Sequence, residues 1–495
     1  MSSHNRAVFT RLTGVVLCAL VVVSCLTVAI CATSEQVIRI AYDLRYAGSD
    51  DAVVKLQITP ERPLPAPVTL IIPRTYPGGY SFVMYDEFVE GMRAFSSNGA
   101  TIKCEKDIDG PRWTVGRKGE DVARIEYLVN VRKMEDRIRD AVESSKARKN
   151  YVGLLGYSIF GYIEGLGQSP ITLQVSGPPD WPVLTTLAPN SEVTKGHVTA
   201  QAPNYDILAD SQVVMGPGVQ FRKLDGKIGL TMAIYSEGEE DADAEAKLAR
   251  QALDSVQEYF GDTPFATYTA LVEILQPKEG HTYNFSQEHD TSGTFSLSVD
   301  NATTSKSPAR HNDSATFNYA HHMAHSWVPK RVWGAGYRPF NWELTPVIET
   351  IWFNEGFGRY AALQAIVAGM PEEQRKARRD RSIARTKSIL DEAPTFIKKM
   401  PMPLLSQEAS FLYAADFRTG MNIYGRGFLM AADMDDRIQA QTQGKKSLRD
   451  AFQAMLAWSA QNQRAFQVEE LIAVISQSTG VDVHDVVERW MQPQM

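Results

Sequence analysis

The chain has 495 residues, 44% of them hydrophobic and 22% charged, with a net charge of −7. This is ordinary globular composition with length for two or three domains, which excludes disordered and fibrous classes. The acidic balance offers no footing for nucleic acid, and no internal repeat or low-complexity tract points to a repeat array.

At the N-terminus, Arg6 and Arg11 precede an apolar run over 12–32, which ends in small residues before Thr33-Ser34-Glu35. That layout predicts a signal peptide over 1–33 and a secreted or periplasmic protein. An uncleaved membrane anchor through 12–32 is the alternative, and membrane contact is expected through that segment only. Three of the four cysteines lie within it, so a cleaved chain keeps Cys104 alone and no intrachain disulfide is expected. Residues 34–220 read as a β-sandwich. Short β-branched runs at 37–42, 53–58, 68–72, 113–115, 123–129 and 171–175 are separated by turn signals such as Pro60-Glu61-Arg62-Pro63. The charged patch at 133–149 is expected to be a solvated loop or short helix. Residues 221–400 turn to mixed α/β, with a helix over 242–260 and a strand over 269–275. A polar connection over 303–314 then leads into helices at 317–327 and 348–366. Residues 401–495 read as helical, with Gly480 as a stop. The expected fold class is α+β multidomain.

The chemistry concentrates in His321-His322-Met323-Ala324-His325. Two imidazoles four positions apart on a helix lie about 40° apart around its axis, so both can face one metal ion. In the pattern His-Glu-x-x-His the second residue is the carboxylate base, and here that place is taken by His322. His322 with His325, at one-turn spacing, is an alternative pair. A catalytic zinc site needs a third protein ligand and an open position. Glu355, in Trp352-Phe353-Asn354-Glu355-Gly356-Phe357, is the natural candidate. A lone His-x-x-x-His is a weak signal, but three of nine histidines within five residues is a stronger one.

The run from His321 through Trp327 to Lys330-Arg331, followed by Trp352-Phe353-Asn354-Glu355-Gly356-Phe357, resembles the glycyl aminopeptidase family of zinc metallopeptidases. Pro77-Gly78-Gly79-Tyr80 looks like that family's N-terminal signature, and Gln287-Glu288-His289 like the end of its Gly-Gly-Leu-Glu-His segment. Tyr424-Gly425-Arg426-Gly427 looks like its Tyr-x-Lys-Gly motif. The resemblance implies a β-sandwich, then a thermolysin-like catalytic domain over 221–400, then a helical domain over 401–495. It implies zinc held by His321, His325 and Glu355, a transition-state tyrosine at Tyr424, and Glu288 binding the free α-amine of a peptide. The PDZ domain that usually closes the family has no counterpart before Met495.

Two departures set the expected function. His322 stands at the base position, and the glycine pair of the family is replaced by Phe285-Ser286, where phenylalanine would narrow the cleft. A glutamate that takes a proton becomes neutral, whereas a histidine becomes a cation beside a dication. With an effective dielectric near 20 and a separation of about 5 Å, that repulsion is several kcal/mol. Neutral imidazole is still a competent base near pH 7. The expectation is a weak or altered exported aminopeptidase acting on peptide substrates, with a catalytically inactive peptide- or partner-binding protein as the alternative.

Overall fold

Alternation of apolar and polar side chains builds the first sheet. In Ile40–Tyr46 and Val53–Pro60 every second side chain is buried, and the two strands pair antiparallel from Ile40↔Pro60 to Tyr46↔Val54. The computed structural model describes residues 38–48, 51–188 and 193–493. The expected signal peptide or anchor lies outside them. Seven strands assemble in the order His197–Ala202, Ile171–Ser176, Ile40–Tyr46, Val53–Pro60, Arg124–Asn130, Val89–Phe95, Thr101–Ile102. Further sheets of five and four strands complete the N-terminal β-rich part.

A second architecture starts at Val219. Its sheet runs Val219–Leu224, Gly229–Ser236, Thr267–Leu275, Ser292–Ser298, Phe285–Glu288. The middle three strands are parallel, and Phe285–Glu288 is an antiparallel edge. Parallel neighbours need a crossover, supplied by the helix Ala242–Phe260. Asp241 caps that helix by accepting from the Ala244 amide, and Gly261 ends it at φ 81°, where a side chain would be strained. Helices dominate from Ala309 onward, so the fold is mixed α+β with a β-rich N-terminal part and a helical C-terminal region. One continuous apolar core joins the second sheet to the C-terminal helices, running from Ile228 to Val487 and admitting Tyr80 from the β-rich part. Among the described residues no helix is long and apolar enough to cross a membrane.

Three local expectations are corrected. The helix carrying the histidines is Ala309–Ala324, beginning inside the stretch read as a connection. Its first two turns are polar because they are exposed, so the apolar period that marks a helix starts only near Thr316. It stops early because Pro329, lacking an N–H and clashing with the preceding turn, cannot extend it. The segment around Glu355 is a π-helical turn, Trp352–Phe357, followed by the α-helix Gly358–Val367. Finally, the charged patch is not simply solvated. Val131–Arg137 is a short helix, but Lys146 is buried, 2.8 Å from Glu273 on the central strand of the second sheet. Its ammonium also donates to the carbonyls of Ala141 and Ser144, so its charge is met inside the protein.

Candidate metal centre

The Ala309–Ala324 helix delivers three histidines to one place. His321 is near its end, and His325 is its C-cap in helical conformation (φ −63°, ψ −21°), so the i, i+4 relation survives the helix end. The π-turn brings Glu355 opposite. Its surroundings, Trp352, Phe353 and Phe357, are buried on every side. The orphan amide of Ile351 at the head of that turn is satisfied by Ser406 Oγ at 2.9 Å.

Glu355 Oε2 lies 3.4 Å from His321 Nε2 and 3.4 Å from His325 Nε2. These spacings are long for hydrogen bonds. They match two donors each about 2.1 Å from one tetrahedral ion, which sit roughly 3.3–3.5 Å apart. The imidazole of His325 is oriented by its other nitrogen, Nδ1, 2.8 Å from the Val328 carbonyl, so Nδ1 carries the hydrogen and Nε2 the free lone pair. His325 Nε2 is buried without a hydrogen-bond partner among the described residues. Two imidazoles, one carboxylate and an orphaned buried lone pair fit an ion of the zinc class.

Charge balance follows the same geometry. Burial opposes the charge of Glu355, but His325 and His321 outweigh it and hold the carboxyl well below its usual range. Burial, then His325, pushes His321 well down. For His325 burial also opposes the charge, but Glu355 and Glu288 prevail and bring it up to about 9, so an ion bound at Nε2 would displace a proton to reach the lone pair.

The remaining expected site residues surround this focus. His322 points at Glu288 rather than at solvent, with Nδ1 3.7 Å from Glu288 Oε2, and packs edge-on against Phe295. Burial lowers it. Donor atoms of Glu288, His325 and Glu355 lie within 4.8 Å of one another, as do those of His321, His322 and His325. The alternative His322–His325 pair is therefore sterically compatible, but Glu355 Oε2 is closest to His321 and His325. Glu288 is buried on the edge strand under the loop from the β-rich part. At Gly78 (φ +87°) a Cβ would stand 1.9 Å from Glu288 Oε1, so only glycine lets the loop backbone approach this closely. Ser286 accepts from Asn318 Nδ2 at 2.9 Å, which ties the edge strand to the histidine helix. Phe285 meets Phe417 edge to face, ring centroids 6.0 Å apart, and the two residues bridge the strand and the long helix Phe417–Thr442.

Tyr424 lies on that long helix, stacked on Tyr413 at 5.4 Å. Burial, then the Glu355 carboxylate, raises its phenol well above the usual range. Its helix touches the π-turn backbone to backbone. A Cβ on Gly427 would be 2.1 Å from the Trp352 carbonyl, and one on Gly356 would be 2.4 Å from Gly427. Arg426, read from the sequence as standing at the lysine place of a Tyr-x-Lys-Gly motif, is structural here, with its guanidinium donating to the carbonyls of Ile397, Lys398 and Met400. Glu349, a conceivable alternative base, has an exposed side chain.

Sequence reasoning missed Tyr80 as a site residue. Its hydroxyl donates to Glu355 Oε1 at 2.9 Å. The only signal was the Pro77-Gly78-Gly79-Tyr80 motif, and nothing local says where that loop goes.

Comparison with known proteins is consistent with this arrangement. Residues 41–217 match the family model of the Peptidase M61 N-terminal domain. An aminopeptidase N family protein from Idiomarina loihiensis is similar in structure, with a TM-score of 0.78 at 18% identity over 92% of this chain and 76% of that one. An M1 zinc metallopeptidase from Deinococcus radiodurans gives a TM-score of 0.53 at 14% identity, covering 92% of this chain and 94% of that one. Native yeast LTA4 hydrolase gives 0.55 at 12% identity, covering 93% and 69%. No curated protein is significantly similar to the chain. The N-terminal match supports a metallopeptidase family, and the structural matches show a fold shared with zinc aminopeptidases.

Proposed function

We propose that this chain is an exported, zinc-dependent aminopeptidase-type protein that binds peptide N-termini and hydrolyses them slowly, because His322 occupies the base position. The observation that carries this reading is the common focus of His321 Nε2, His325 Nε2 and Glu355 Oε2, with both carboxylate contacts at 3.4 Å. The proteins of similar fold include zinc metallopeptidases, which supports zinc as the ion. When bound, zinc would polarise the peptide carbonyl and acidify water.

The protein groups have separable tasks. His321, His325 and Glu355 would hold the ion. Glu288, a buried carboxylate with a donor atom within 4.8 Å of those of His325 and Glu355, would receive a substrate ammonium. Tyr424, kept protonated by burial, can donate to a developing oxyanion. His322 is left to take a proton from water, a task for which a cationic product is poorly suited beside a dication. Export rests on the 1–33 segment of the sequence.

The decisive measurement is metal content together with hydrolysis of glycyl and alanyl chromogenic amides by the native chain, His322→Ala and His322→Glu. We expect stoichiometric zinc, slow native turnover abolished in His322→Ala, and a gain of about 10²–10⁴ in His322→Glu. Native turnover unaffected by His322→Ala, or absence of zinc, would refute the reading.

A second reading, an inactive protein that holds peptide ends or a partner, is favoured by the contact between Phe285, on the strand that carries Glu288, and Phe417. It predicts bound zinc, no native turnover, and recovery of cleavage only when His322→Glu is combined with Phe285→Gly.

A further inference from the structure

Tyr80 links the β-rich part to the metal centre. Tyr80 Oη donates to Glu355 Oε1 at 2.9 Å across 275 positions of sequence, while Glu355 Oε2 faces the two histidines. The direction of that hydrogen bond is fixed from the other side, since Asn354 Nδ2 donates to Tyr80 Oη at 3.4 Å and occupies an acceptor position of the hydroxyl.

Delivering Tyr80 carries a backbone cost. Its φ is +47°, in the left-handed region that non-glycine residues rarely adopt, and it follows Gly78 at +87°. The loop is pinned on both flanks. Tyr76 Oη and Ser81 Oγ each donate to the same Glu143 oxygen at 2.7 Å, and the Ser81 carbonyl accepts from Thr75 and Thr345 hydroxyls at 3.2 and 3.0 Å. A ring that merely filled the core would need neither a strained backbone nor a hydroxyl aimed at one carboxylate oxygen.

Resting on the metal-binding reading above, we infer that Tyr80 is a positioning residue for the ion. By engaging Oε1 it presents Glu355 through Oε2 alone, and metal affinity thereby depends on a loop of the N-terminal β-rich part. A carboxylate that can rotate or bind through both oxygens is a weaker and less selective member of a tetrahedral donor set, and hydrogen bonds to ligands correct this.

The test is zinc affinity, read by competition with a chromogenic chelator, for the native chain, Tyr80→Phe, Glu355→Ala and the double variant. Phenylalanine keeps the edge contact with Tyr413 (centroids 5.8 Å apart) and removes only the hydroxyl. We expect Tyr80→Phe to weaken zinc about 10–100-fold. In the Glu355→Ala background, which leaves the Tyr80 hydroxyl no carboxylate to engage, the same change should have no further effect, a dependence that a loosened core would not produce. Equal zinc affinity of the native chain and Tyr80→Phe overturns the positioning role while leaving the metal site standing. An equal loss in both backgrounds assigns Tyr80 to packing and also overturns it. A native chain that takes up no zinc defeats both readings at once.

Discussion

Removing the ionisable group of Glu143 should change how stability depends on pH. Glu143 is buried beneath the loop that carries Tyr80, where Oε1 accepts from Tyr76 and Ser81 at 2.7 Å each. Burial pushes its pKa from 4.5 up to about 7, with Asp140 adding to the rise and the two hydroxyl bonds offsetting part of it. The folded chain therefore keeps this proton to about pH 7, while the unfolded chain gives it up near 4.5. Between those values the folded state binds the extra proton, so stability falls as pH rises. The contribution is fully present below 4.5 and lost above about 7. At roughly 1.4 kcal/mol per tenfold, the difference is about 3 kcal/mol. Glu143→Gln mimics the protonated acid, since its amide oxygen can accept from both hydroxyls. Urea unfolding followed by tryptophan fluorescence at pH 5, 6, 7 and 8, with chelator present, should show the two proteins nearly equal at pH 5. By pH 8 the variant should be the more stable by about 2–3 kcal/mol. Parallel curves over the whole range would refute the assignment of this proton to Glu143.

Two further outcomes test the scaffold. Gly427→Ala places a methyl 2.1 Å from the Trp352 carbonyl, so the π-turn must move; thermal unfolding should show a loss of about 1–3 kcal/mol or more, and zinc affinity should fall with it. Lys146→Met leaves Glu273 charged and buried, with only Tyr151 and Ser296 donating to it, and should cost about 3–5 kcal/mol by denaturant titration. A loss under 1 kcal/mol would show that water reaches Glu273.

The sequence reveals features whose causes are local. Helix Ala242–Phe260 is legible to the residue because its apolar period, its Asp241 cap and Gly261 all agree. His321 and His325 are legible as candidates because helical spacing puts two imidazoles on one face, and the set of His321, His325 and Glu355 is legible through the resemblance of its flanking segments. The misses share a different cause. Lys146 reads as a surface charge because its partner, Glu273, lies on a distant strand. The first turns of the histidine helix read as a connection because exposure removes the apolar period. Tyr80 carries no local sign of its target, since the bond it makes closes a loop of 275 residues. The histidine at 322 is visible in the sequence, but its proximity to Glu288 appears only once the edge strand and the helix are packed together.

Gly356 and Gly427 meet with no side chain between them. The separation of the two backbones that carry Glu355 and Tyr424 is consequently set by main-chain atomic radii. Repacking elsewhere in the core has little leverage on that gap, and an opening motion that prised these two segments apart would find no soft contact to exploit. The opposite wall is built otherwise: the loop bearing Tyr80 meets the edge strand through side-chain hydrogen bonds such as Gln287 Nε2 to the Pro77 carbonyl at 2.9 Å.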